Sequence, residues 1–483
     1  MTDPRDDDMF NDARVERREH LSQQGENPYP NEVDSDMPLG EVRETYTNPD
    51  SFPETPLTVA GRITRINDIG SLAFVDIRDE SDTIQLMLTE DDTNAYEAFD
   101  DVINHGDFIE ATGSLGRSNT DELTLTTTSY DVVSVAVRDP PAGELSPQRR
   151  VRNRAGAMLS EGDTLDESVR TRFEVTQHVR QHLTREGYLE VETPILHNRA
   201  GGADATPFQT HSDATDTDLY LRIAPELYLK RLLVGGFEQV FEVARVFRNE
   251  SIDTTHNPEF TMLELYQAYS DYEDMMTLTE TLVSTVIEDV TGSPAVEYEG
   301  ETIDFSPPWE QETMYDLVSE AVGYSVSDVG VSRLRESVEE YVDDANAASL
   351  THGECVLELY EELVEDTLTQ PTFVVDHPTE STPLCKTHRD DDGLVERFEA
   401  VVAGVELANS YTELNDPIAQ IEAFIEQGGE QNIDKSFVET MAYGMPPAAG
   451  LGIGIDRLAM LATGETSIRG ILAFPMVANQ GRD

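Results

Sequence analysis

Between Leu57 and Val137 the chain breaks into short runs in which apolar and polar residues alternate: "LTVAGRITRI", "LAFVDIRD", "DTIQLMLT", "DFIEATGSLGR" and "ELTLTTTSYDVVSVAV". Successive side chains of a strand point to opposite faces, so each run is a strand with one wet face and one buried face. Glycines punctuate the series, and a helical signal interrupts it near 92–104. About five such strands in succession cannot bury their apolar faces as a flat ribbon, and they close into a small β-barrel.

The barrel pattern is of the OB type, with an SH3-like barrel as the alternative, and it occupies 56–139. Ahead of it, residues 1–55 hold a short amphipathic helix candidate, "ARVERREHL". The segment that follows, "GENPYPNEVDSDMPLGE", is rich in Pro, Asn, Gly and acids and reads as an extended arm. Residues 140–155 form a linker carrying Arg149, Arg150, Arg152 and Arg154, the densest basic run of the chain. From 156 to 483 helices and strands mix without βαβ alternation. "SVRTRFEVTQHVRQHLTREGY" has Phe173, Val175, Val179 and Leu183 at helical spacing, and "LEVETPIL" reads as a strand. Hairpin-like strands follow around 219–270, helices around 272–290 and 355–367, and strands at 371–376 and 397–413. Sequential hairpins flanked by helices favour an antiparallel sheet, so the expected class is α+β.

Charge narrows the choice further. The chain has 96 acids against 33 basic residues, a net charge of −63. One reading is an acidic, disordered or histone-binding protein, but these acids run through segments with clear apolar periodicity, so the whole chain is not disordered. A folded, halophilic protein fits better, because the Debye length falls to about 3 Å in molar salt and surface repulsion is screened. Lysine usage agrees, since Lys230, Lys386 and Lys435 are the only lysines. No apolar run is long enough to span a bilayer, and the acidic start "MTDPRDDDMF" lacks the apolar core of a signal peptide. Cys355 and Cys385 form no CxxC pair, which argues against a disulfide framework or a Cys-based zinc site and suits a reducing cytoplasm.

Three stretches carry more than solvation. "VFEVARVFRNE" alternates so that Val246, Arg248 and Glu250 share a strand face; after "DTTHNP", "FTMLELY" places Phe260, Met262, Glu264 and Tyr266 on one face. Singly, each of these residues is better read as part of a solvated, salt-bridged hairpin. Together, a guanidinium, carboxylates, a phenol and an aromatic plate describe a site, because buried acids need a cationic or polar ligand. In "GVELANSYTELND", Asn409, Tyr411 and Glu413 share a face, and Glu399 and Glu406 precede them. Two spaced carboxylates suit a phosphate-bridging Mg²⁺. "AAGLGIGIDRLAML" has glycines at 450, 452 and 454 for close backbone approach, with Arg457 placed to clamp a phosphate. Neither a GxGxxG fingerprint followed by an acid nor GxxxxGK[ST] is present, so any nucleotide is held by another architecture.

Taken together these stretches resemble the class II aminoacyl-tRNA synthetases, specifically the lysyl group. "EGYLEVETPIL" is similar to motif 1, "VFEVARVFRNESIDTTHNPEFTMLELY" to motif 2 and "GLGIGIDRLAML" to motif 3. "LYLRIAPELYLKRLLVGGFE" and "ELND" after "ERFE" look like the lysine subgroup, and the likeness runs from "NPYP" at 27–30 to "SIRGILAFP" at 467–475. The resemblance implies an OB-type anticodon-binding domain, a catalytic domain on an antiparallel sheet, and a homodimer with motif 1 at its interface. It further implies a lysine–tRNA ligase reaction: L-lysine and ATP give lysyl-adenylate, and the lysyl group passes to the 3′ end of tRNA(Lys).

By position, the resemblance assigns Arg248 to the α-phosphate and the lysine carboxylate, with Asn409 assisting. Gly202, Glu226 and Glu264 fall at the α-ammonium, and Tyr266 and Glu413 at the ε-ammonium. Phe260 would stack on adenine, Glu250 and Asn257 would meet its edge, and His256 and Arg457 would bind the outer phosphates. Glu399 and Glu406 would hold Mg²⁺, and Phe74 and Gln85 would read the anticodon. The chain departs from the family pattern at Thr206, where an arginine is usual. It departs again in "GRITRIND", where Ile66 and Asn67 align with an expected arginine and Arg65 stands beside them.

The rivals are an aspartyl- or asparaginyl-type enzyme, a paralogue that lysylates protein, and a non-catalytic OB-fold nucleic-acid-binding paralogue. An anionic substrate would require cationic pocket residues in place of Glu226, Glu264 and Glu413. An intact barrel disfavours the second rival, and the presence of Arg248, Glu399, Glu406 and Arg457 disfavours the third.

Overall fold

The computed structural model describes residues 10–477 except 95, 97, 98, 142, 144, 161–164, 200, 203, 204, 344, 345 and 429–432. The chain forms two compact units, one of residues 1–146 with 155–162, the other of 147–154 with 163–483.

In the first unit five strands close a barrel in the order β1-β2-β3-β5-β4: β1 (Leu57–Asp68), β2 (Leu72–Arg78), β3 (Thr83–Thr89), β4 (Phe108–Arg117) and β5 (Leu123–Ser134). A short helix at Phe99–Val102 precedes β4. Period-two alternation sends Val59, Ile63, Val75, Ile77, Ile84 and Leu86 inward, where each is fully buried. The segment ahead of the barrel feeds the same core, through Leu21, Leu39 and Val42. The expected amphipathic helix is present at Asp12–Gln23, but its buried face is Arg14, Arg17 and Leu21 and not an apolar stripe. Arg17 is buried because it forks onto Asp107, with hydrogen bonds of 2.5 and 2.8 Å. The expected extended arm ends earlier than its composition indicated, in a helix at Leu39–Thr45.

The second unit is built on an eight-stranded sheet. Its order is Glu310–Thr313, Thr372–Pro378, Leu394–Val402, Val405–Thr412, Ala448–Gly454, Glu259–Ala268, Gln239–Phe247 and Leu189–Glu190. The six inner strands are antiparallel, as expected, whereas both edge strands pair in parallel with their neighbours. Each edge strand is separated from its partner by a long connection that includes at least one helix and can return the chain in the same direction. The sheet is therefore mixed.

Three further expectations are corrected. Phe173 is 53% exposed, because it lies two residues from Val175, about 200° round the helix Leu165–Arg185 from the buried Val175–Val179–Leu183 line. "LEVETPIL" is not one strand: only Leu189–Glu190 and Leu196–His197 pair, with Pro194, which has no N–H to donate, between them. The region 219–270 is not a run of hairpins, since a helix at Glu226–Val234 separates Thr217–Leu221 from Gln239–Phe247.

Candidate active site

The middle of the sheet has one polar face. Gln239–Phe247 and Glu259–Ala268 pair with Val246 opposite Phe260 and Glu242 opposite Glu264. Tyr266, Gly450 and Tyr411 are in register across the next two strands. A cavity of about 750 Å³ opens over this face. Of the residues the sequence nominated, Gly202, Glu226, Arg248, Glu250, His256, Asn257, Phe260, Glu264, Tyr266, Glu406, Asn409 and Arg457 line it. Glu413 and Glu399 do not. Glu413 is wholly buried beneath the cavity, and Glu399 stands behind Asn409, whose amide reaches its carboxylate at 3.3 Å.

The floor of the cavity holds its buried charges. Glu226 begins the helix Glu226–Val234 and accepts a hydrogen bond from Tyr411 at 2.6 Å. Four residues on, the Lys230 ammonium sits 2.5 Å from Glu226 and also contacts Glu413. Tyr266 donates to Glu264 at 2.9 Å. Burial pushes the Glu264 carboxyl up to about 8, the Glu226 carboxylate adds to the rise, and Tyr266, Lys230 and Arg248 oppose it. Burial likewise raises the Tyr266 and Tyr411 phenols, which stay protonated donors. Burial works against the Lys230 ammonium, but Glu226 and Glu413 outweigh it and hold its pKa above the ordinary lysine value.

Gly450 explains part of the glycine run in "AAGLGIGIDRLAML". A Cβ there would stand inside contact distance of Tyr266 Cε1 and Glu413 Oε1, so the close approach it permits is to these side chains. Gly452 is less constrained, since its Cβ would meet Met262 and Glu264 at 3.4 and 3.7 Å.

The other end of the cavity is open. Arg248 does not share a strand face with Val246 as expected: the strand ends at Phe247, and Arg248 lies in the turn, its N–H donating to Pro258 O at 2.9 Å. Its guanidinium lies over the Phe260 ring at 5.2 Å, and its Nε is buried with no hydrogen-bond partner among the described residues. Glu250 accepts from the Thr206 N–H at 3.2 Å, and the Asn257 amide donates to Glu259 O at 2.6 Å. His256 is 55% exposed and pairs with Asp253 at 2.9 Å. Arg457 opens the helix Ile455–Thr463, donates to the Glu406 carbonyl and lies 3.6 Å from its carboxylate.

Glu399 and Glu406 converge on one group, the Asn409 amide, at 3.3 and 3.2 Å. Arg397 holds Glu399 at 2.6 Å. Among the described residues no three His, Cys, Asp or Glu side chains form a metal cage. Two hard carboxylates suit a Mg²⁺ whose remaining ligands are waters and substrate phosphates. A nearby acid that sequence reasoning did not nominate, Glu365, is pushed up to about 7 by burial and by Glu399 and Glu406, as expected where a cation is wanted.

In the barrel, Phe74 and Gln85 are half-buried on the outward face of β2 and β3. Gln85 lies opposite Asp76, and Arg65 lies opposite Asp76 on the other side. Ile66 packs against the barrel core while Arg65 and Asn67 are exposed, so Arg65 is the cation offered to this face.

Sequence reasoning missed Lys230. The available signal was its rarity, one of three lysines in a chain of 483 residues.

Comparison with known proteins agrees with this geometry. The family described as tRNA synthetases class II (D, K and N) matches residues 147–478, and an OB-fold nucleic acid binding domain matches 57–133. The chain is 41% identical to a lysine–tRNA ligase of Saccharolobus solfataricus, over 98% of each chain. It is also 41% identical to a lysine–tRNA ligase of Enterococcus faecalis, over 96% of each, and to one of a Nostoc species, over 97% of this chain and 88% of the relative. The chain belongs to the class II tRNA synthetases of the D, K and N group and, within them, to the lysine–tRNA ligase family.

Proposed function

We propose that the cavity joins L-lysine to ATP and passes the lysyl group to tRNA(Lys), with the residues above in the roles that their positions suggest. The observation that carries the reading is a charge deficit. Seven acids are buried among the described residues: Asp107, Glu226, Glu242, Glu264, Glu396, Glu413 and Asp456. Four each contact an arginine: Arg17–Asp107, Arg222–Glu242, Arg389–Glu396 and Arg172–Asp456. Of the three pocket acids, Glu226 and Glu413 share one ammonium, that of Lys230, and Glu264 has a phenol but no cation in contact among the described residues. A substrate that brings two ammonium groups supplies what this set lacks, and an aspartate-like substrate would worsen it.

Adenylation needs no protein nucleophile. The lysine carboxylate attacks the α-phosphorus, the bond to pyrophosphate breaks, and pyrophosphate departs; the 3′-terminal hydroxyl of the tRNA then attacks the carbonyl carbon and AMP leaves. The protein's task is positioning and charge neutralisation. Arg248 neutralises charge where the carboxylate meets the α-phosphate, and Asn409 orients the carboxylate. Arg457 and His256 hold the outer phosphates, while Phe260, Glu250 and Asn257 fix the adenine. Glu226 and Glu264, with the backbone at Gly202, orient the α-ammonium; Tyr266 and Glu413 receive the ε-ammonium. Mg²⁺ held by Glu399 and Glu406 would add positive charge on the phosphates when bound.

The barrel at 56–139 is the anticodon-binding module in this reading, with Phe74 stacking on a base and Gln85 hydrogen-bonding to one. Stacking survives high salt better than phosphate contacts do. The chain works as a homodimer, a reading supported by exposed Phe173, Leu189, Ile195 and Leu196 around motif 1. No helix of the described residues is long and apolar enough to cross a membrane. We assign the protein to the cytoplasm on its two cysteines, Cys355 and Cys385, which form no CxxC pair, and to a halophile on its net charge of −63. ATP–pyrophosphate exchange in molar KCl with a panel of amino acids, followed by tRNA charging, tests the whole reading. Lysine alone should support exchange; activity with aspartate, or with none, overturns it. Dialysis into low salt should unfold the protein, and full stability there would refute the halophilic assignment.

A further inference from the structure

Lys230 is not among the groups assigned to either substrate and does not line the cavity, yet it lies directly against acids of the pocket. It is fully buried, its ammonium contacts Glu226 and Glu413, and the rings of Tyr411 and Tyr266 flank it at 5.4 and 5.9 Å. Glu264 and Cys385 are the remaining titratable groups close by, the first beside Tyr266 and the second bridged to Glu413. Two carboxylates and two aromatic faces form a cage for an ammonium, and a side chain of the protein itself occupies it. The cage is specific for lysine in a second sense. Thirty of the chain's 33 basic residues are arginine, and every other buried acid outside this pocket takes an arginine partner. At this one place a compact ammonium, able to sit between two carboxylates at once, has been kept instead of a planar fork.

We propose that Lys230 is a positioning residue of the amino-acid pocket, a resident counter-ion that holds Glu226 and Glu413 in place between its contacts, so that a diamino acid and not its uncharged isostere completes the charge balance. This rests on the reading of the cavity as a lysine-activating site. A buried carboxylate with no cation beside it takes up a proton and ceases to attract an ammonium. Burial pushes the Glu413 carboxyl up, and Lys230 is the cation that opposes this rise before substrate arrives. Glu413 Oε1 is left buried with no hydrogen-bond partner among the described residues, an acceptor held ready on a carboxylate whose other oxygen is already engaged. Discrimination follows, because an isostere without the ε-ammonium would leave that acceptor unpaired.

The test uses the full-length protein in molar KCl, comparing wild type, Lys230→Met and Lys230→Arg by ATP–pyrophosphate exchange between pH 6 and 9, with lysine and norleucine. Lys230→Met should raise the KM for lysine at least tenfold with the KM for ATP unchanged. It should also move the acidic limb of kcat/KM for lysine up by a pH unit or more, and narrow the preference over norleucine at least tenfold. Lys230→Arg should keep the wild-type limb. A Lys230→Met enzyme with wild-type KM and limb overturns the proposal, as does equal loss of lysine and ATP binding with an unshifted limb. If Lys230→Met does not fold, wild type labelled with [¹³Cε]lysine decides, since three resonances suffice to find Lys230. An ammonium shift that persists above pH 10 and survives saturation with unlabelled lysine supports a resident counter-ion; titration below pH 10, or displacement by substrate, rejects it. Wild type inactive with lysine would instead refute the lysine-activating reading itself.

Discussion

Asp107 in the barrel and Glu413 under the cavity are both completely buried carboxylates, and they are treated in opposite ways. Asp107 receives four hydrogen bonds: two from Arg17, one from Asn104 N–H at 2.7 Å and one from Ala136 N–H at 2.8 Å. Its charge is spent within the fold, tying the N-terminal helix to the barrel. Glu413 touches one cation through Oε2, and its Oε1 has no hydrogen-bond partner among the described residues. Burial and charge do not separate a structural acid from a binding one; the count of donors left over does. By the same measure Arg248, which lines the cavity with no carboxylate partner among the described residues, belongs with Glu413, and Arg172, engaged by Asp456 at 2.7 Å and Thr261 at 2.9 Å, belongs with Asp107.

Substitutions at these positions should divide along the same line. Asp107→Ala leaves Arg17 buried without its partner and should cost about 3–5 kcal/mol of barrel stability, read from urea melts, while lysine-dependent pyrophosphate exchange survives below the transition. Arg248→Ala should do the reverse, cutting the exchange rate by about 10²–10³ with a melt close to wild type. An Arg248→Ala protein that exchanges at the normal rate would erase the distinction. Glu413→Gln should lower kcat/KM for lysine by about 100-fold and leave the KM for ATP within a small factor. The smallest effect is on pH. Glu264, pushed up to about 8 by burial, is mostly protonated at neutrality in the free site, and its ionised form is the one that attracts an ammonium. Raising the pH from 7 to 8 should therefore tighten lysine binding about fivefold, with a proton released on binding, measured by calorimetry in two buffers. Weaker binding with rising pH would contradict a protonated Glu264.

The parts of this molecule that could be read in advance are those where one periodicity acts alone. Barrel strands alternate cleanly because one face is packed and the other is wet, and Phe260, Met262, Glu264 and Tyr266 all reach the cavity because they share one uninterrupted strand. The helix Glu226–Val234 was hidden because two of its buried positions are Glu226 and Lys230, so an inward face looked polar. Arg248 was misplaced on a strand because alternation carries no mark of where pairing stops. Phe173 looked like core because it is apolar, although its angle on the helix turns it outward. Lys230 was invisible as a site residue because its partners come from separate elements, the preceding helical turn and the end of Val405–Thr412, which only the fold brings together.

Gly450 has a bearing on attempts to re-engineer the pocket. Between the strands that carry Tyr266 and Tyr411 runs one whose side chain has been reduced to a hydrogen, and the vacated slot is already filled by the Tyr266 ring and the Glu413 carboxylate. No further room can be won on that side, since nothing is left to trim. Enlarging the pocket for bulkier lysine derivatives has to begin at other lining residues, such as Leu384 and Phe424, which still have side chains to lose.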